Sequence, residues 1–205
     1  MMIFRVKRLA SAVASGCYYH LFNEQGILMM VGDYGRPWLE GGTQVRFAWP
    51  DGQLLATLSL PRWGHPGWGW GGRRQYEYGL VIEDAVYASM QRHQPGQEGV
   101  VYFTLEVDGQ RLVLWGDDSG AGYGLYEQGP SDFDLYMGAE VVPETAVGWL
   151  RLVADESYRY EIEWRKRFLS RAALLSLALV CLWDQGEELA AIGGEEEEEE
   201  EEGEG

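Results

Sequence analysis

Two cysteines, three histidines and two lysines are all that 205 residues contain, and each scarcity narrows the field. Cys17 and Cys181 form neither a C-x-x-C pair nor a metal-binding spacing, so the default expectation is a reducing, cytoplasmic setting. His20, His65 and His93 are scattered, without the short spacings that metal ligands need. Basic residues nowhere form the clustered run that marks a nucleic-acid binder, and no nucleic-acid partner is expected. Ser119 stands in Asp-Asp-Ser-Gly-Ala-Gly, not in a G-x-S-x-G elbow. Gly120-Ala-Gly-Tyr-Gly lacks the strand–loop–helix setting of a phosphate-cradling loop. Asp117-Asp118 resembles a paired carboxylate, but in a Gly-rich stretch after Trp115 it reads as a solvated turn. Asp51 and Asp108 stand alone, without the further oxygen ligands of a calcium loop. No catalytic residue, metal or cofactor emerges, and the expectation is a protein that is not an enzyme.

A long apolar run is also missing. From Ala172 to Trp183 the only polar side chain is Ser176, but that stretch is 12 residues, against about 20 for a bilayer span. Arg165-Lys166-Arg167 and Arg171 block its extension backwards, so no transmembrane span is expected. Near the N-terminus, Arg5, Lys7 and Arg8 precede Leu-Ala-Ser-Ala-Val-Ala-Ser-Gly-Cys, the outline of a secretion signal with a lipid-modified Cys17. Its apolar region is short and mostly Ala and Ser, and Ala14 occupies the place where a lipobox usually has Leu.

Negative charge is plentiful but unevenly placed. The net charge is −17, yet from Asp184 onward there are 12 acids and no base, while residues 1–183 hold 21 acids and 16 bases. The body is mildly acidic and the tail is a separate object. Residues 186–205, with Glu195 to Glu202 at their centre, are too polar and self-repelling to fold, which predicts a disordered acidic tail.

What the chain does have is strand periodicity. Ile3 to Arg8 alternates as a half-buried strand does. Hairpins follow at Tyr18–Phe22 with Ile27–Val31, at Val45–Trp49 with Leu54–Leu58, and at Val100–Val107 with Gln110–Trp115. Asp108-Gly109 supplies the positive φ that a two-residue type I′ turn demands. Further strands are predicted at Tyr76–Ile82, Ala85–Met90, Gly124–Tyr126, Phe133–Met137, Gly148–Val153 and Tyr158–Trp164. After about twelve strands comes a single helix, about 166–183, with Leu, Ala and Val on every face. A helix apolar all round must be surrounded. The predicted fold is therefore mostly β with one C-terminal helix: a closed antiparallel barrel of about twelve strands, residues 1–185, wrapped around that buried helix. Closure also removes exposed sheet edges.

Three features carry a resemblance. They are the opening strand Phe4-Arg5-Val6-Lys7-Arg8, the hairpin from Tyr19 to Val31 with its apolar-turn-Gly-apolar order, and the strand Tyr158–Trp164 followed by an Ala/Leu helix ending in Trp183-Asp184. Together they resemble the tubby C-terminal-like superfamily of tubby domains, phospholipid scramblases and LURP-one-related proteins, nearest the LURP-one-like branch. The resemblance implies a barrel closed on its C-terminal helix. Tubby domains bind phosphoinositide headgroups through basic surface residues, and no equivalent basic cluster is legible here. The Cys-rich and calcium-binding segments of scramblases have no counterpart, Asp184 with Glu187 and Glu188 being a weak acidic group.

The most unusual segment is 61–78, where Trp63, Trp68 and Trp70 alternate with glycines and His65, and Arg73-Arg74 follow. Aromatic rings beside arginines suit a membrane interface or a small apolar ligand. The competing reading is a hairpin loop whose tryptophans plug one end of the barrel. Trp63, His65, Trp68, Trp70, Arg73 and Arg74 are thus the candidate ligand- or membrane-binding residues. The expected function is a non-enzymatic binding or scaffold protein taking lipid or another apolar ligand, cytoplasmic or peripheral at a membrane. The alternative is a regulatory module whose acidic tail engages a basic protein partner. Oligomeric state is not legible.

Overall fold

The computed structural model describes residues 1–10, 17–34, 44–59, 75–93, 102–116, 122–127, 146–153, 157–165 and 171–184. Twelve strands run in chain order: β1 (Met2–Ala10), β2 (Cys17–Asn23), β3 (Leu28–Tyr34), β4 (Gln44–Ala48), β5 (Leu54–Ser59), β6 (Gln75–Ile82), β7 (Ala85–His93), β8 (Tyr102–Val107), β9 (Gln110–Gly116), β10 (Gly122–Glu127), β11 (Ala146–Leu152) and β12 (Tyr160–Trp164). Each pairs antiparallel with its sequence neighbours, and β1 closes on β12 through Met2↔Trp164 to Val6↔Tyr160. The expected barrel is present. The strand predicted at 133–137, the helix start at 166–170 and the acidic tail lie outside the described residues.

The helix, described over 172–184, fills the interior. Size explains the fit. Twelve strands about 4.8 Å apart, tilted by about 40°, close at a radius of about 12 Å. A helix with its side chains takes about 5–6 Å of that, and the inward side chains of the sheet take the rest. Leu174, Leu175, Leu177, Ala178, Val180 and Cys181 are all buried, as are the inward strand residues Val6, Leu21, Phe47, Leu58, Leu80, Met90, Leu105 and Ile162. Burying one such leucine contributes roughly 1.5–3 kcal/mol. Gly32 of β3 lets the helix come close: a Cβ there would stand 3.3 Å from the Phe47 ring and 3.5 Å from Leu177.

Ser176, the one polar side chain in the apolar stretch, is satisfied. It accepts the Trp164 indole N–H at 2.8 Å and donates to the Ala172 carbonyl at 2.7 Å. One serine therefore satisfies a buried tryptophan N–H and spends its own proton inside the helix.

Alternation sets which side chains enter. β4 buries Val45 and Phe47 between exposed Gln44 and Arg46. β8 departs from this, burying both faces: Phe103, Leu105 and Val107 point inward, while Tyr102 packs with Val113 and Trp115 in a separate cluster outside the barrel. Elsewhere the outer face carries exposed or half-exposed charges, among them Arg5, Arg46, Arg111, Arg151 and Glu163. A lipid-facing position near the bilayer midplane would cost about 2–4 kcal/mol for each arginine. No helix among the described residues is long and apolar enough to cross a membrane.

The two ends of the barrel differ. At one end four connections are short, 24–27, 49–53, 83–84 and 108–109, and the long β10–β11 connection, 128–145, leaves from the same end. Asp108 (φ 50°) and Gly109 (φ 73°) make the expected left-handed pair. Glu83 (φ 47°) and Asp84 (φ 64°) do the same without glycine, although left-handed backbone costs a non-glycine residue roughly 1–2 kcal/mol. Replacing them by the favoured pair, Glu83→Asn with Asp84→Gly, should raise unfolding stability by about 1 kcal/mol. Equilibrium urea denaturation checks this, and an unchanged or lower midpoint would contradict the strain.

Candidate functional site

At the other end of the barrel the helix terminates in Trp183 and Asp184, both buried. β1 delivers Arg8, β2 delivers Tyr19, β12 begins at Tyr160, and Arg159 precedes it. Tyr19 Oη donates to Asp184 Oδ2 at 2.6 Å and Tyr160 Oη donates to Oδ1 at 2.5 Å. Arg8 Nε lies 2.9 Å from Oδ2 and Arg159 Nη2 lies 3.9 Å from Oδ1. The ring of Trp183 meets Tyr123 edge-on at 5.0 Å and Tyr160 at 5.5 Å. A carboxylate at a helix C-terminus opposes the helix dipole, and the two arginines offset that.

Chemically this group is a lock rather than a reaction centre. Both oxygens of Asp184 are engaged by donors from three strands, and its side chain is 2% exposed. The arrangement ties the end of the plug to the seam where the first and last strands meet. Asp184 is the residue that the sequence does not reveal: it reads as part of a weak acidic group with Glu187 and Glu188.

Outside the same seam, Glu161 lies between Arg5 (3.1 Å) and Arg151 (2.5 Å). Burial pushes the Glu161 carboxyl up, but hydrogen bonds from Arg151 and Arg5, with their charges, overcome this and hold it below the ordinary carboxylate range. Burial lowers His20, and the charge of Lys7, its cross-strand partner, lowers it further.

The short-turn end carries an open groove of about 380 Å³ between Val86–Ser89 and Glu106–Arg111. At its edge Tyr87 Oη donates to Asp108 Oδ2 at 3.3 Å, and the Arg171 guanidinium sits 5.2 Å over the Tyr87 ring. The hairpins at this end also expose Ile27, Trp49, Leu54 and Val86. Sequence periodicity gives no sign of these, because each occupies a turn-flanking position. His93 stacks on Tyr102 at 4.5 Å and contacts Thr104 Oγ1 at 2.9 Å. No three His, Cys, Asp or Glu side chains meet as a metal site among the described residues.

Trp63, His65, Trp68, Trp70, Arg73 and Arg74 lie outside the described residues, as do Asp117, Asp118 and Ser119. Topology does place the attachment points of 60–74. Ser59 and Gln75 stand at the end where Asp184 sits, with the connections 11–16, 35–43, 94–101 and 117–121.

The fold defines a class: an antiparallel meander of twelve strands closed around its own C-terminal helix. No protein-family model, no curated protein and no solved structure matches the chain.

Three outcomes follow from this geometry. Asp184→Ala, which leaves two tyrosine hydroxyls and Arg8 facing a void, should cost about 3–5 kcal/mol, and Tyr160→Phe about 1–2 kcal/mol. Arg159→Ala, at a side chain 46% exposed, should cost under about 1 kcal/mol; urea denaturation ranks the three, and a reversed order would break the lock.

Acid sensitivity should appear in two stages. Both shifted groups titrate lower in the folded chain than unfolded, so each contributes stability in full above its unfolded value and loses it as pH falls through its folded value. That places the His20 stage below about pH 6.5 and the Glu161 stage below about pH 4.5. His20→Gln should abolish the first stage alone in urea midpoints measured against pH, and an unaltered profile would remove His20 from it.

Proposed function

We propose that this is a non-enzymatic binding or scaffold protein that takes lipid or another apolar ligand on the outside of its barrel, at the end where Asp184 sits and from which the connection 60–74 leaves. One observation supports this most: among the described residues the barrel interior is filled by its own helix, which directs a ligand to the outside of the barrel and its rims. Of the two rims, the Asp184 end is joined by the segment bearing Trp63, Trp68 and Trp70, with His65, Arg73 and Arg74. A barrel closed around a C-terminal helix is also what membership of the tubby C-terminal-like superfamily, near its LURP-one-like branch, calls for. That membership is part of the proposal, as is peripheral association with a membrane from the cytoplasm.

A second reading has its own support. The described helix ends at Asp184 beside that same rim, and this reading has the Glu-rich segment that follows engage a basic protein partner there. Removal of residues 194–205 separates the two, because apolar-ligand binding survives it and partner capture does not.

Phosphatidylcholine vesicles should shift the tryptophan emission of the full chain to the blue, and the triple variant Trp63→Ala, Trp68→Ala, Trp70→Ala should stay folded and lose that response. A retained response would transfer binding to the other rim, where Ile27 and Trp49 are exposed. Unfolding of the variant would show the tryptophans to be a structural plug.

A further inference from the structure

The scattered bases of the sequence converge on one side of the barrel. Across the outer face of β11, β12 and β1, Arg151 and Arg5 flank Glu161. One row nearer the Asp184 rim, Lys7 is paired with His20, and Arg159 continues the row through its backbone N–H bond to the Val6 carbonyl at 2.9 Å. At the rim itself Arg8 and Arg159 share Asp184. Glu161 and Asp184 are each flanked by two guanidinium groups, Glu163 farther along β12 is matched by Arg165, and Lys7 adds a further charge. This is a basic face on a chain whose net charge is −17.

We infer that this basic face is the docking surface for the chain's own Glu-rich segment, Glu195–Glu202. Three observations carry it. The helix delivers the chain at Asp184, in contact with Arg8 and Arg159, so the tail begins at the margin of the face. Residues 185–194 can reach about 33 Å when extended, whereas the rows holding Lys7 and Arg5 lie within about two strand spacings, roughly 10 Å, of Arg159. Charge is complementary: a run of carboxylates meets rows in which cations predominate, and Arg forks bind carboxylates in pairs. Docked, the tail covers the basic face and screens it from other anions; released, it uncovers them together. The inference does not depend on apolar-ligand binding at the Trp-rich rim.

The test compares the full chain with one ended at Gly194. At low salt, carbodiimide should join Lys7 to a residue of Glu195–Glu202 within monomers of the full chain, read by peptide mass spectrometry. His20, followed by NMR, should titrate at higher pH in the full chain than in the shortened one, because carboxylates beside the ring favour its protonated form. Both effects should vanish near 0.5 M salt, where the Debye length is roughly 4 Å. Arg5→Gln with Arg151→Gln should lower the Lys7 cross-link several-fold while leaving the fold intact. Identical His20 titrations in the two chains, with no Lys7 adduct, would overturn the inference. Adducts found only between molecules would overturn it too, and assign the tail to a second copy.

Discussion

The rest of the structure depends on a helix that has no polar face. Residues 174–182 offer water nothing but methyl groups, one thiol and one hydroxyl that is already hydrogen-bonded inside. Such a helix is tolerable only when covered on every side. A flat sheet covers one face and two sheets cover two; a closed sheet covers all of them. The number of strands then follows from geometry, since a radius near 12 Å admits one helix with its side chains and little more. The same closure pairs β1 with β12, so none of the twelve described strands keeps a free edge to recruit another chain. Core, topology and the absence of edges are one solution to one burial problem.

Apolar packing alone leaves a smooth rod free to slide or turn within a smooth tube. Two polar contacts fix it. Trp164 holds Ser176 partway along the helix, and Tyr19 and Tyr160 hold Asp184 at its end. Each joins the helix to strands at the β12–β1–β2 seam, so the axial position of the plug and the closure of the barrel are specified together. Buried polar groups of this kind add little net stability over well-packed hydrocarbon, but breaking one partner is costly. Their contribution is to select one arrangement among several of similar burial.

Much of this architecture was legible because it rests on short-range patterns. Alternation at Ile3–Arg8, the Asp108-Gly109 turn and the uniformly apolar stretch after Arg171 each declare their structure within a few residues. The strand expected from Tyr158 begins at Tyr160, although the Arg159 backbone still bonds to Val6 and Val153. The Glu83-Asp84 turn carries no glycine to announce it and shows only as the gap between two strands. Asp184 was misjudged for a different reason: its partner Tyr19 is 165 residues away, and only closure brings the two together. The basic face was hidden in the same way, since Arg5, Lys7, Arg151 and Arg159 become neighbours only across the β11–β12–β1 ladder.

The pairing of the first strand with the last has a consequence for how the chain is born. β1 is made long before its partner β12 and before the helix that fills the core. Until then the curved sheet has two bare edges and a greasy concave face with nothing in it. Contacts between residues so far apart in sequence form late and slowly, and partly built sheets are prone to stick to one another. A ribosome stalled anywhere before residue 184 therefore releases an open trough rather than a smaller barrel. For this chain, closing the barrel and filling it both wait on the same late stretch, residues 160–184.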